Sequence, residues 1–220
     1  MNEQHDRVSR STAERVAALV QVGTALLSEL DETRLLTLIA ETACDLTGAA
    51  FAAFSIRPVN EEGQPLVPSE GSLFHLAAVV GVTPEQEALF RRMPLGAEGL
   101  LAPIFQQGVP VLVADALAHL ASSAQQTRDA RTAAREAAVA YAQAHLSAEA
   151  LPSLGVPHGH PVVRSFLGAP VLDRAGQVRG GLLLGHPEPN QFSQEDETLL
   201  VGLAGQAAVA LENARLYRMA

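Results

Sequence analysis

Between residues 11 and 30 the chain reads STAERVAALVQVGTALLSEL, and Val16, Leu19, Val20, Gly23, Leu26, Leu27 and Leu30 return at intervals of three and four. That period predicts an amphipathic helix, with Ser11 or Thr12 and then Glu14 in capping position. Asp31 opens a second helix, ETRLLTLIAETACDLTG, in which Leu35, Leu36, Ile39, Ala43 and Leu46 form one apolar stripe and Gly48 supplies the stop. Cys44 lies beside that stripe, where a small thiol packs rather than reacts.

The period then shortens. AAFAAFSIRPV and SLFHLAAVVG are runs of strand-forming residues on either side of the Gly- and Pro-containing NEEGQPLVPSEG, which predicts a hairpin with a long turn. His75 falls in its second strand, on the opposite side from Phe74 and Leu76. Thr83-Pro84 opens a short helix reaching about Arg92. GAEGLLAPIFQQGVPVLVAD follows as a turn, a helical segment from about Leu100 to Gln107, a Gly-Val-Pro turn and a strand from Val111 to Ala114. A second hairpin is written in SFLGAPVLDRAGQVRGGLLLGH, with its turn at Asp173 to Gly176.

Two segments depart from this alternation. From about 117 to 150 the chain is alanine-rich, and SSAQQTRDARTAAREAAVAYAQAHLSAEA contains neither Gly nor Pro. Propensity predicts a helical insertion there, about 36 Å long if Ser123 to Leu146 is continuous. Arg128, Arg131 and Arg135 share one face of it, a solvated face or an anion or partner site. The last segment, about 193 to 218, begins with Ser193 as cap, carries Glu195 and Asp196 in its first turn and Arg215 and Arg218 in its last, and suits the helix dipole. Its predicted stripe is Leu199, Leu203, Gln206, Ala210, Asn213 and Tyr217. No stop signal follows, so the helix either continues in a longer protein or ends free to pair. Residues 1–10 are polar and read as a disordered tail, leaving 11–220 as one domain.

Composition narrows the chemistry. With 48% hydrophobic residues in 220 the chain can bury a large core. No apolar run is long enough for a membrane span and no signal segment opens the chain, so a cytoplasmic protein is expected. The net charge of −9 opposes general nucleic-acid binding. All 15 basic residues are arginine, which excludes Schiff-base, phosphate-loop and kinase-type lysine chemistry. One cysteine excludes an internal disulfide and a thiolate zinc site. His158 and His160 in GVPHGHP offer two nitrogens but no further ligands nearby, so no metal site is expected.

The order of elements resembles the GAF domain. So do Gly99-Leu100, Gln107 to Val111, Arg164-Ser165-Phe166-Leu167-Gly168-Ala169-Pro170-Val171, Gly181-Leu182-Leu183, Phe192-Ser193 with Asp196, and Leu203-Ala204, Gln206-Ala207 and Glu212 to Tyr217. The resemblance covers the chain from residue 12 apart from the insertion. It implies an α+β fold with a central antiparallel sheet of five to six strands, the N- and C-terminal helices on one face and a ligand pocket under short helices and loops on the other.

The resemblance further implies a sensory or regulatory module of a bacterial signalling protein, without catalysis, that binds a small ligand. Such a module acts as a homodimer through its terminal helices and is attached to an output domain such as that of a histidine kinase. His160, Arg164, Phe166, His75 and Phe54 are the candidate ligand-binding residues. Arg164 either clamps a carboxylate or phosphate or pairs with a neighbouring acid. Methionine-sulfoxide-reducing members use several cysteines, and bilin-binding members a cysteine near the pocket; Cys44 serves neither. Cyclic-nucleotide-binding members have an Asn-Lys pair where this sequence has Gly185-His186, although Phe192, Asp196 and Glu197 match the rest of that pattern.

Haem is the remaining chemical option. His160-Pro161-Val162-Val163-Arg164-Ser165-Phe166-Leu167-Gly168 resembles the axial-histidine stretch of mycobacterial haem-binding GAF domains, which would make His160 the iron ligand. Leu183 stands where those proteins have a distal tyrosine. A third expectation is a structural dimerisation domain with no ligand.

Overall fold

The computed structural model describes residues 17, 20, 23, 31–57, 74–91, 99–116, 118–119 and 161–219. The tail 1–10, almost all of the insertion and both His158 and His160 lie outside the described residues.

Helix α1 (Glu32–Thr47) begins and ends where its caps dictate. Asp31 is extended, with φ −79° and ψ 113°, and its carboxylate accepts the Arg34 N–H at 2.9 Å. At the other end Gly48 turns left-handed at φ 72° and donates its N–H to the Cys44 carbonyl at 2.8 Å. Helix α2 (Pro84–Phe90) starts in a capping box formed by Thr83 and Gln86. The helical segment expected near Leu100 to Gln107 is two short pieces instead, one tighter and one wider than an α-helix. A 3-10 turn spans Gly99–Leu101 and a single wide turn with i to i+5 spacing spans Pro103–Gln107, ending at Gly108 with φ 67°.

Among the described residues five strands form one antiparallel sheet: β1 (Phe51–Ile56), β2 (His75–Val80), β3 (Val111–Val113), β4 (Ser165–Leu172) and β5 (Val178–His186), in the order β2-β1-β5-β4-β3. Both expected hairpins are present, as β1/β2 and β4/β5. In the β4/β5 turn the Asp173 carboxylate accepts the N–H groups of Ala175 and Gln177 and the Arg179 Nε. Burial works to raise its pKa, but these donors outweigh it and hold the carboxyl below its ordinary value.

Alternate residues sort onto two faces. Ala52, Phe54, Leu167, Ala169, Val171, Leu182 and Leu184 pack beneath α1 and the long helix α3 (Gln194–Met219). β2 needs a correction to that alternation. Phe54 stands opposite Ala78 but Ser55 stands opposite Leu76, so Ala77 is an extra residue, and the bulge turns Phe74 and Leu76 toward the face opposite the one Ala78 packs on.

Ser193 and Asp196 cap α3 reciprocally. Asp196 accepts the Ser193 N–H at 2.8 Å and its hydroxyl at 2.7 Å, while the Asp196 N–H reaches the Ser193 Oγ at 3.3 Å. The buried stripe of α3 is Leu199, Leu200, Leu203, Ala204, Ala207, Ala210 and Ala214, whereas Asn213 and Tyr217 are exposed. Leu199, Leu203 and Ala210 of the expected stripe are buried, but Ala207 and Ala214, each one position further on, take the places expected for Gln206 and Asn213.

Candidate functional site

The face of the sheet away from α1 and α3 is built as three cross-strand rows. One row runs Phe51, Gly185, Phe166 and Val113; the next Val79, Ala53, Leu183, Gly168 and Val111; the third Leu76, Ser55, Gly181 and Pro170. Small residues fill the middle, and larger side chains lie over them. A Cβ on Gly185 would fall 2.2 Å from the Phe51 ring, one on Gly168 2.3 Å from Ile104 Cδ1, and one on Gly181 2.9 Å from the Phe105 ring. The wide turn carrying Ile104 and Phe105 therefore lies directly on β4 and β5, and the Phe105 ring stacks on Phe74 with centroids 4.2 Å apart. Phe90, Val113 and Ala116 complete the apolar set. The one polar side chain within the three rows, Ser55, is buried and donates to the Gly181 carbonyl.

At the rim of this face the Arg164 guanidinium makes a two-pronged contact with Asp115, Nε to Oδ1 at 3.0 Å and Nη2 to Oδ2 at 2.5 Å. Arg164 is thus held by an acid, the second of the two roles open to it from the sequence. Next to it the Ser165 hydroxyl, fully buried, donates to the Glu188 carbonyl at 2.6 Å with the Ala114 carbonyl at 3.3 Å, and accepts the Gln191 N–H at 3.1 Å.

Of the candidate residues, Phe166 faces this apolar layer and Arg164 stands at its edge. Phe54 does not join them; it is buried on the other face, among Leu35, Ile39 and Leu203. His75 is exposed and alternates away from Phe74 and Leu76. His160 lies outside the described residues. The sequence did not single out Asp115, Ser165 or the covering pair Ile104-Phe105. Only Ser165 had a usable signal, as a hydroxyl residue inside an otherwise apolar strand, where a buried polar group must find partners.

Among the described residues no three His, Cys, Asp or Glu side chains converge as metal ligands would. Cys44 packs on α1 beside the helix-side core, and burial, then the carboxylates of Asp45 and Glu41, push its thiol from the usual 9.0 up to about 11. A thiol so placed is protonated at neutral pH and faces the wrong layer to serve the apolar face.

A family model described as GAF domain matches residues 31–211. The GAF domain of a phosphoenolpyruvate-protein phosphotransferase from Coxiella burnetii is similar at 20% identity and a TM-score of 0.61, covering 94% of this chain and 97% of that one. Free methionine-R-sulfoxide reductase from Neisseria meningitidis, solved with its substrate, is similar at 18% identity and a TM-score of 0.59, covering 93% and 92%. The GAF domain of a protein assigned as a sensor histidine kinase from Pseudomonas syringae pv. tomato follows at 16% and 0.55, covering 96% and 94%. At these identities the likeness is one of fold.

Proposed function

The chain belongs to the GAF domain family, a family of sensory and regulatory modules, and from that premise we propose that it is a non-catalytic sensor domain whose ligand is small and mainly apolar. The observation that carries the proposal is the second sheet face. Ala53, Phe74, Leu76, Phe166 and Leu183 form an apolar layer opposite α1 and α3, and among the described residues short helical pieces lie over it. Apolar side chains with few polar groups among them are the kind of lining a small-molecule site uses. With Arg164 held by Asp115, an anionic ligand would have to break a two-pronged pair to use it, which favours a neutral or aromatic ligand.

The absence of catalysis is part of the proposal. Its support is that Cys44, the one cysteine in the chain, is on the helix side with a raised pKa, so it is unsuited to the thiolate chemistry of the sulfoxide-reducing members. The host would be a cytoplasmic bacterial signalling protein of the histidine-kinase kind, and no described helix is long and apolar enough to cross a membrane. Homodimerisation through the terminal helices is supported by the outer face of α3, where Val201, Gly202, Gly205, Val209 and Leu216 are exposed at three-and-four spacing, and by exposed Val20. An output domain would then receive the signal from α3.

Haem is the second reading, with His160 as axial ligand. The lining is apolar enough to hold a porphyrin, but Ile104 and Phe105 already lie on Gly168 and Gly181, so the described surface of β4 and β5 does not offer a flat slot for the ring. The geometry therefore favours the smaller ligand. Melting curves of the protein with indole, 2-naphthol, 1-decanol or hemin test both readings. We expect at least one of the first three to raise the melting temperature of the wild type and to lose most of that effect in Leu183→Phe. A Soret band with hemin that disappears in His160→Ala would replace this reading by haem. No shift with any compound would leave the structural dimerisation domain.

A further inference from the structure

We infer that Asp115, Arg164 and Ser165 form a coupler that ties the rim of the apolar face to the first turn of α3. Three chain segments meet there: the exit of β3, the start of β4 and the exit of β5. The Arg164 guanidinium grips Asp115 across 49 residues of chain, and the Ala116 N–H donates to the Arg164 carbonyl at 2.8 Å. The Arg164 N–H in turn donates to the His186 carbonyl at 2.8 Å, which fixes the end of β5.

One residue on, Ser165 Oγ holds the loop that leads into α3, through the Glu188 carbonyl and the Gln191 N–H. The Ala114 carbonyl contributes as well by accepting the Asn190 N–H at 2.6 Å, and Asn190 is the one non-glycine residue among those described with positive φ, at 57°. Holding an asparagine there costs backbone energy that the surrounding bonds must offset. Two residues beyond Gln191 the cap of Ser193 and Asp196 begins. A shift of Asp115 against Arg164 therefore reaches the loop into α3 through a few directional bonds.

The coupling itself needs no ligand. Its use in signalling rests on the reading of α3 as the output helix, and it supplies that reading with a route: occupancy of the apolar face next to Phe166 would move the neighbouring Arg164 and Ser165. Hydrogen exchange of the ligand-free protein separates the two ideas, since its failure would not touch the ligand site, and failure of every ligand would not touch the coupling.

Asp115→Asn removes the charge but keeps the shape. Exchange of the amides from Gln191 to Leu200 should speed up about tenfold, the scale set by one lost charge-assisted bond, while β1 amides from Ala52 to Ser55 hold steady. Ser165→Ala should produce the same local effect, and in the double variant the two should not add, since both act through one set of bonds. A charge swap, Arg164→Asp with Asp115→Arg, should restore slow exchange to a chain in which Arg164→Asp alone has lost it. Unchanged exchange over 191–200 in both single variants overturns the proposal. So do fully additive effects, or an equal rise in β1, which would mark general loosening.

Discussion

Cys44 shows how one side chain's surroundings set its chemistry. The unfolded chain's thiol ionises near the usual 9.0, and the folded one near about 11, because burial and then Asp45 and Glu41 disfavour the thiolate. Between those two values the unfolded state has fewer bound protons than the folded one. The contribution of Cys44 to stability is therefore full below about pH 9 and is lost as the pH rises toward 11. At pH 8 the smaller thiolate population alone should make the native thiol react with a disulfide reagent about a hundredfold more slowly than the urea-unfolded thiol. Equal rates would contradict this placement of Cys44. Arg164 makes a related point, because its sequence context admitted a ligand clamp or an ion pair, and the deciding residue, Asp115, lies on the far side of the insertion.

At the scale of elements, glycines at helix and strand ends separate two kinds of constraint. Gly48 ends α1 at φ 72° with open space around its Cα, whereas Gly81 follows β2 at φ 76° with the Ala50 carbonyl oxygen 2.3 Å from where a Cβ would sit. Gly48→Ala should cost about 1 kcal/mol, the penalty of a side chain in the left-handed region. Gly81→Ala should cost roughly twice that or more, because the backbone of β1 must also move. Chemical denaturation of both variants checks the order, and equal losses would mean that the close approach at Gly81 is not held.

The same elements show how far the sequence could be read. Asp31, Gly48, Thr83 and Ser193 are local signals, and the helices they bound start or stop beside them. Both hairpins were legible from their turns. Which face Phe54 takes was not, since β1 is covered on both sides and FAAFSI carries no polar alternation to fix its register. The bulge at Ala77 and the wide turn that lays Ile104 and Phe105 on Gly168 and Gly181 depend on partners distant in sequence. Residue spacing along one strand cannot reveal them.

At the scale of the whole molecule, the described residues form a sheet with a helix layer on one face and an apolar layer on the other, joined at one edge by Asp115, Arg164 and Ser165. The account stands on the claim that what occupies the apolar face is felt at the start of α3. The measurement closest to that claim is hydrogen exchange over residues 191–200 with and without saturating indole, 2-naphthol or 1-decanol, whichever raises the melting temperature most. Exchange there should change on binding in the wild type, and the change should vanish in Ser165→Ala while the compound still raises that variant's melting temperature. Binding that leaves exchange over 191–200 unaltered in the wild type would contradict the account.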